Sequence, residues 1–167
     1  RQMCIRDREA ADVIDVDASV EDNIRNVAQA KQKSVRDITV VVLDRPRHDD
    51  LQAAIREAGA KVRLIADGDV AGAVAAAKHG NSVDLMMGIG GTPEGVITAA
   101  AMRCLGGAIQ GRLWPKTDEE IARAATGEYD TDKVLYTNDL CSSKDCFFCA
   151  TGVTNGCLLY TSPSPRD

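Results

Sequence analysis

No apolar run in the chain approaches the roughly 20 residues that a membrane-spanning helix needs. No lysine-led apolar segment opens it, so no secretory signal is expected. Positive charge is in deficit: 20 Lys and Arg stand against 25 Asp and Glu, a net charge of −5. That balance argues against nucleic acid as a partner, which calls for a basic patch or stripe. Gly-Lys-Ser and Gly-Lys-Thr are absent, which excludes a P-loop. Gly88-x-Gly90-x-x-Pro93 lacks the third glycine of a dinucleotide fingerprint, and Glu94 sits where a pyrophosphate would need a helix start free of negative charge. What is present is an ordinary globular composition, 44% hydrophobic and 27% charged over 167 residues. That is enough for one domain with a real core.

The six cysteines are Cys4, Cys104, Cys141, Cys146, Cys149 and Cys157. Cys146-x-x-Cys149 has the look of a zinc knuckle or redox pair. Lys144 to Ala150 reads as a strand around Phe147 and Phe148, however, and residues three apart in a strand face opposite ways. Neither histidine is near. Free thiols in a reducing cytoplasm are the expectation. The ends, residues 1–8 and 157–167, resemble translated sequencing-adapter tails and are expected to be foreign or disordered. The informative region is then 9–156, expected to be cut at both ends.

Within it, strands and helices alternate. Asp17 to Lys33 is an amphipathic helix with Ser19 and Asp22 as a capping pair. Ile38 to Leu43 is a continuous β-branched run, the mark of a strand buried on both faces. A helix from His48 to Ala58, stopped by Gly59, leads to a strand over Lys61 to Ala66. An alanine-rich helix over Val70 to Lys78 precedes a strand over Val83 to Met87. Glu94 to Leu105 is small and apolar nearly all round and predicts a buried helix. Thr117 to Glu120 is a capping box opening a helix to Ala125. Gln110 to Trp114, Val134 to Tyr136 and Asp145 to Ala150 are the remaining predicted strands. The alternation across 38–105 predicts an α/β fold built on a parallel sheet.

Three polar clusters follow three successive strands, at the rim where open parallel sheets bind ligands. Arg45-Pro46-Arg47 offers two guanidiniums from a stiff turn, suited to phosphate or to ion pairing with Asp44, Asp49 or Asp50. Asp67-Gly68-Asp69 is either a turn with Asp69 as N-cap or a pair of ligand-facing carboxylates. The glycines through Gly91 let another group approach the backbone closely. Glu94 after them is either a favourable acid at a helix start or a metal contact. His48 reads as a cap or a surface residue. Together these groups suit a sugar phosphate and a divalent metal.

Leu43-Asp-Arg-Pro-Arg-His48, Asp67-Gly-Asp-Val-Ala71, Met87-Gly-Ile-Gly-Gly-Thr-Pro-Glu-Gly-Val96, Gly106-Gly-x-x-Gln-Gly-Arg112 and Ala150-Thr-Gly-Val-Thr154 closely resemble the class II fructose-1,6-bisphosphatases. The resemblance implies the parallel-sheet-based sugar phosphatase fold of the inositol-monophosphatase-like superfamily, here its C-terminal, substrate-binding lobe. It implies Mn²⁺ or Mg²⁺ as cofactor and fructose 1,6-bisphosphate as substrate, hydrolysed at its 1-phosphate in gluconeogenesis. It implies a cytoplasmic, homo-oligomeric full-length enzyme, with no nucleic-acid or membrane partner. Glu94 resembles the family's metal-ligating glutamate, Arg45, Pro46 and Arg47 its phosphate-binding turn, Asp67, Gly68 and Asp69 its grip on sugar hydroxyls, and Gly91 a substrate-contacting backbone. The family's other metal-binding acids and its nucleophile-activating threonine have no counterpart here, so the chain alone is expected to be inactive. A noncatalytic sugar-phosphate module and a sedoheptulose-1,7-bisphosphatase are the alternatives.

Overall fold

The computed structural model describes residues 2–6, 10, 12–78, 80–115, 117–127 and 130–151. Among these described residues, six strands form one open sheet. They are β1 (Gln2–Arg6), β2 (Thr39–Leu43), β3 (Lys61–Ile65), β4 (Leu85–Ile89), β5 (Ala108–Arg112) and β6 (Val134–Tyr136). The helices are α1 (Val20–Ala30), α2 (Asp49–Glu57), α3 (Asp69–Ala77), α4 (Thr92–Leu105), α5 (Asp118–Ala125) and α6 (Thr137–Leu140). The strand order is β3-β2-β4-β1-β5-β6.

Side chains of the central strands alternate between two cores, as the pleat requires. Val40, Val42, Leu85 and Met87 join Ile24, Val27 and Ile55, so α1 and α2 cover one face. Val41 and Met86 join Ala73, Ala99 and Met102, so α3 and α4 cover the other. This two-sided burial is why β2 is apolar without interruption. Each fully buried aliphatic chain, such as Ile24 or Ile55, contributes about 1.5–3 kcal/mol. The local start and stop signals also act as read. Ser19 caps α1 by accepting from the Asp22 N–H, Thr117 and Glu120 form a reciprocal capping box on α5, and Gly59 turns the chain after α2 at φ +87°.

Four features differ from the sequence reading. The sheet is parallel only across β3, β2 and β4; β1 runs antiparallel to both β4 and β5, and β6 antiparallel to β5. The stretch 1–8, expected to lie outside the fold, supplies β1 at the middle of the sheet. Met3, Cys4 and Ile5 there are at most 4% exposed, because a strand laddered on both sides buries consecutive apolar residues. The tail 157–167 lies outside the described residues, as do 152–154 of the last family motif. Helix α4 is buried on one face only. Gly95, Thr98, Ala99 and Met102 face inward at helical spacing, while Val96 and Ile97 remain 43% and 49% exposed. Finally, Lys144 to Ala150 is irregular rather than a strand. Phe147 points to solvent at 97% exposure, and Phe148 packs against the α3–α4 core.

Candidate active site at the carboxyl rim of the sheet

Strands β2 and β4 are parallel neighbours, yet the chain leaves β2 for a helix on one face and β4 for a helix on the other. Their carboxyl ends therefore flank a topological switch point, the usual ligand position in such sheets. All three polar clusters lie on this rim.

After β2, Arg45 is extended and Pro46–His48 forms a single tight turn. Arg45 Nη2 pairs with Asp67 Oδ1 at 2.5 Å and Nη1 donates to the Asp44 carbonyl at 2.9 Å. Arg47 donates from Nε and Nη2 to the Ile89 carbonyl at 3.1 and 2.9 Å. Neither guanidinium pairs with the carboxylate of Asp44, Asp49 or Asp50, the partners open on sequence. The Arg45–Asp67 pair is exposed, with side chains 38% and 86% accessible. Such a pair is worth at most about 1 kcal/mol, so a stronger anion can replace Asp67.

His48 stands at the N-cap position of α2, as the cap reading has it, but its side chain makes no capping hydrogen bond there and it is no surface residue. It is 1% exposed. Its Nδ1 lies 2.9 Å from the Leu43 carbonyl, and its Nε2 accepts from the Ile89 N–H at 2.8 Å. Nε2 as acceptor and Nδ1 as donor define the neutral tautomer. The ring ties the end of β2 to the end of β4, so Ile89 has its carbonyl held by Arg47 and its N–H held by His48. Gly88 makes this possible. It has φ +153°, and a Cβ there would lie 3.3 Å from the imidazole. A glycine inside a strand pattern was the available signal, but its meaning depends on a ring 40 residues away in the chain.

Strand β4 runs two residues beyond its predicted end, so the true loop is only Gly90 and Gly91. Gly68, at φ +84°, is the N-cap of α3, and Asp69 is its first residue rather than the cap. Asp69 Oδ1 accepts from the Val70 N–H at 3.0 Å. Its Oδ2 lies 3.2 Å from where a Gly90 Cβ would stand. Glu94, in the first turn of α4, folds back so far over Gly91 that a Cβ there would lie 2.1 Å from its Oε2. That oxygen is buried with no hydrogen-bond partner. Asp69 is pushed above the usual carboxylate range by burial, opposed by the Val70 N–H and reinforced by the charge on Glu94; Arg47 pulls it back down. Asp69 stands beside Gly90 and Glu94 beside Gly91, and the charges of Glu94 and Arg47 both act on Asp69.

An orphaned, buried carboxylate oxygen fits a cation. Among the described residues no group of three or more His, Cys, Asp or Glu side chains is set to hold a metal. Glu94 would therefore be a single ligand in an incomplete shell. On the α1–α2 side a cavity of about 230 Å³ adjoins the rim, lined in part by Arg47, His48, Leu51, Met87 and Trp114. Neither Asp69 nor Glu94 lines it.

Residues 3–162 match the family described as bacterial fructose-1,6-bisphosphatase, glpX-encoded. The chain belongs to that family. Among curated proteins it is 43% identical to the "D-fructose 1,6-bisphosphatase class 2/sedoheptulose 1,7-bisphosphatase" of Synechococcus sp. strain JA-2-3B'a(2-13), over 87% of this chain and 46% of the relative. It is 44% and 40% identical to proteins of the same name from Synechococcus sp. strain JA-3-3Ab and Synechococcus elongatus, at the same coverage. The chain thus spans about half the length of the curated relatives it matches. No helix among the described residues is long and apolar enough to cross a membrane.

Proposed function

We propose that this chain is the substrate-binding half of a class II fructose-1,6-bisphosphatase, a metal-dependent phosphoric monoester hydrolase of the inositol-monophosphatase-like superfamily. The full-length protein acts in gluconeogenesis, in the cytoplasm, as a homo-oligomer. The observation that carries this reading is the buried, unpartnered Glu94 Oε2, set over Gly91 on the same rim as two arginines. As a helix-start acid alone, Glu94 would have both oxygens in water or on backbone N–H groups. An unpaired buried carboxylate oxygen is costly unless a cation meets it.

The roles follow from the groups. Arg45 and Arg47 hold the phosphate that does not react, with Pro46 stiffening their turn; anchoring it lets remote binding energy position the reacting one. Arg47 keeps Nη1 for this while its other nitrogens stay on Ile89. Asp67 and Asp69, spaced by Gly68, accept from sugar hydroxyls, Asp67 once it is released from Arg45. The bare Gly91 backbone lets substrate come close. Glu94 helps to hold Mn²⁺ or Mg²⁺, which when bound neutralises charge on the phosphoryl oxygens and supplies an activated water. The remaining ligands belong to the part of the relatives that this chain does not span. A sedoheptulose 1,7-bisphosphate activity in the same site is the second reading, favoured by the double name of the relatives.

The test is Glu94→Gln in a full-length protein containing this half, assayed with fructose 1,6-bisphosphate at saturating Mn²⁺. Turnover should vanish while most substrate affinity survives. Activity within a few-fold of wild type would return Glu94 to a helix-start role. The 167-residue chain by itself should release no phosphate above a heat-killed control, since one carboxylate cannot hold a catalytic metal pair. Substrate binding by this chain without hydrolysis in any longer form would favour a noncatalytic sugar-phosphate module.

A further inference from the structure

The cysteines of the last described segment are not arranged as their spacing suggests. The sulfur that Cys146 meets is that of Cys141, with Sγ to Sγ 3.9 Å. Cys141 ends α6, and the chain turns back through Ser142 to Asp145, closed by Ser143 Oγ donating to the Asp145 carbonyl at 2.8 Å. Cys146 Sγ also rests 3.6 Å from the Ala100 carbonyl of α4, and Cys104 Sγ lies 3.4 Å from the Cys146 carbonyl. Both residues of the pair are half-buried and both are free thiols.

We propose that Cys141 and Cys146 are a redox modification site that closes to an intramolecular disulfide by exchange with a small-molecule disulfide such as oxidised glutathione. The sulfurs must approach from 3.9 Å to about 2.05 Å, a movement of under 2 Å that side-chain rotation in an irregular segment can supply. One thiolate of the pair attacks the glutathione disulfide, whose S–S bond breaks and releases one glutathione thiolate. The second thiol loses its proton and attacks the mixed disulfide, releasing the other. The two cysteines are oxidised by two electrons, one disulfide is reduced to two thiols, and the two protons end on the two glutathiones. Burial, then the adjoining Cys146 sulfur, raise the Cys141 thiol from its ordinary value. That slows the exchange without altering which pair can close.

The site is independent of the phosphatase reading, because none of its residues belongs to the rim. Its consequence is mechanical. Cys146 sits against the middle of α4, whose first turn carries Glu94, so oxidation fastens the loop after α6 in place behind that helix.

The experiment treats the folded chain with oxidised glutathione, alkylates the remaining thiols and maps the peptides. Trypsin separates the pair at Lys144, and cleavage after Phe147 and Phe148 separates Cys146 from Cys149. The expected product has lost two hydrogens and links the peptides of Cys141 and Cys146. Cys149→Ser should leave the link intact and Cys146→Ser should abolish it. Because the decisive map is of the unmutated chain, a variant that misfolds does not obscure the result. Stable glutathione adducts on both cysteines, or a link from Cys141 to Cys149 or from Cys104 to Cys146 in its place, would overturn the assignment.

Discussion

The two ends of the β2–β4 pair both carry buried acid, and they treat it in opposite ways. At the amino end, Asp84 is 1% exposed and fully answered. It pairs with Lys31 at 2.7 Å and Lys33 at 2.6 Å, and it accepts from the Thr39 N–H at 3.0 Å. It ties the C-terminal end of α1 to the starts of both strands. At the carboxyl end, Glu94 Oε2 is buried without a partner, and Asp69 is held above its ordinary range by burial and by Glu94. For Asp84, burial also pushes upward, but Lys31, Lys33 and the Thr39 amide outweigh it and the net direction is down. A satisfied acid belongs to the architecture. An unsatisfied one is maintained at a cost in stability, and such sites are where ligands are expected.

Removing the satisfied acid should have the largest effect on stability. Asp84→Ala takes the shared carboxylate from two lysines, Lys31 with a side chain only 9% exposed and Lys33 at 37%. Breaking a buried pair in this way costs about 3–5 kcal/mol. Urea unfolding of the chain should show that loss, whereas Glu94→Gln should change stability by less than about 0.5 kcal/mol or increase it. Equal losses from both would erase the distinction between the two ends.

Next comes Arg47→Ala in a full-length protein. Losing a charge-assisted contact to the anchored phosphate should cost about 1.5–3 kcal/mol in kcat/KM for fructose 1,6-bisphosphate. It should cost much less for fructose 1-phosphate, which lacks the anchored group. The same substitution also removes the bond to Ile89, so a melting curve is recorded alongside. Equal losses on both substrates that track a lowered Tm would leave Arg47 as a brace only.

Acid should separate the ends further. Because the folded pKa of Asp84 lies below its unfolded value of about 3.9, its contribution is present above that pH and is lost as pH falls through the lower, folded value. Stability measured from pH 6 down to pH 2 should drop more steeply in wild type than in Asp84→Asn, which has no such proton to take up. Parallel curves would mean that the lysines do not hold the Asp84 charge in solution.

Gly91→Ala should also have only a small effect on stability. The backbone there is ordinary, at φ −71°, and the three atoms nearest the new methyl all belong to the end of the Glu94 side chain. The fold should lose less than about 1 kcal/mol as Glu94 swings aside. In the full-length protein the Mn²⁺ concentration for half-maximal activity should nevertheless rise sharply. An unchanged Mn²⁺ requirement would show that the folded-back Glu94 is not the metal-holding position.

The sequence alone determined what depends on neighbours within a few residues. Ser19 with Asp22 and Thr117 with Glu120 are caps because their partners are three residues away. The β-branched run of β2, the helical stripe of α1 and the placing of three polar clusters after three strands are likewise local patterns, and they brought the candidate groups to one rim. Tertiary structure decided the rest, mostly because the remaining features join residues far apart in the chain. Lys31 and Lys33 meet Asp84 about fifty residues later, and His48 meets Ile89 forty-one residues later. The strand Gln2–Arg6 takes its place from ladders with β4 and β5, not from its own composition. The position of Glu94 Oε2, folded over Gly91 and buried with no hydrogen-bond partner, likewise has no signature in the sequence.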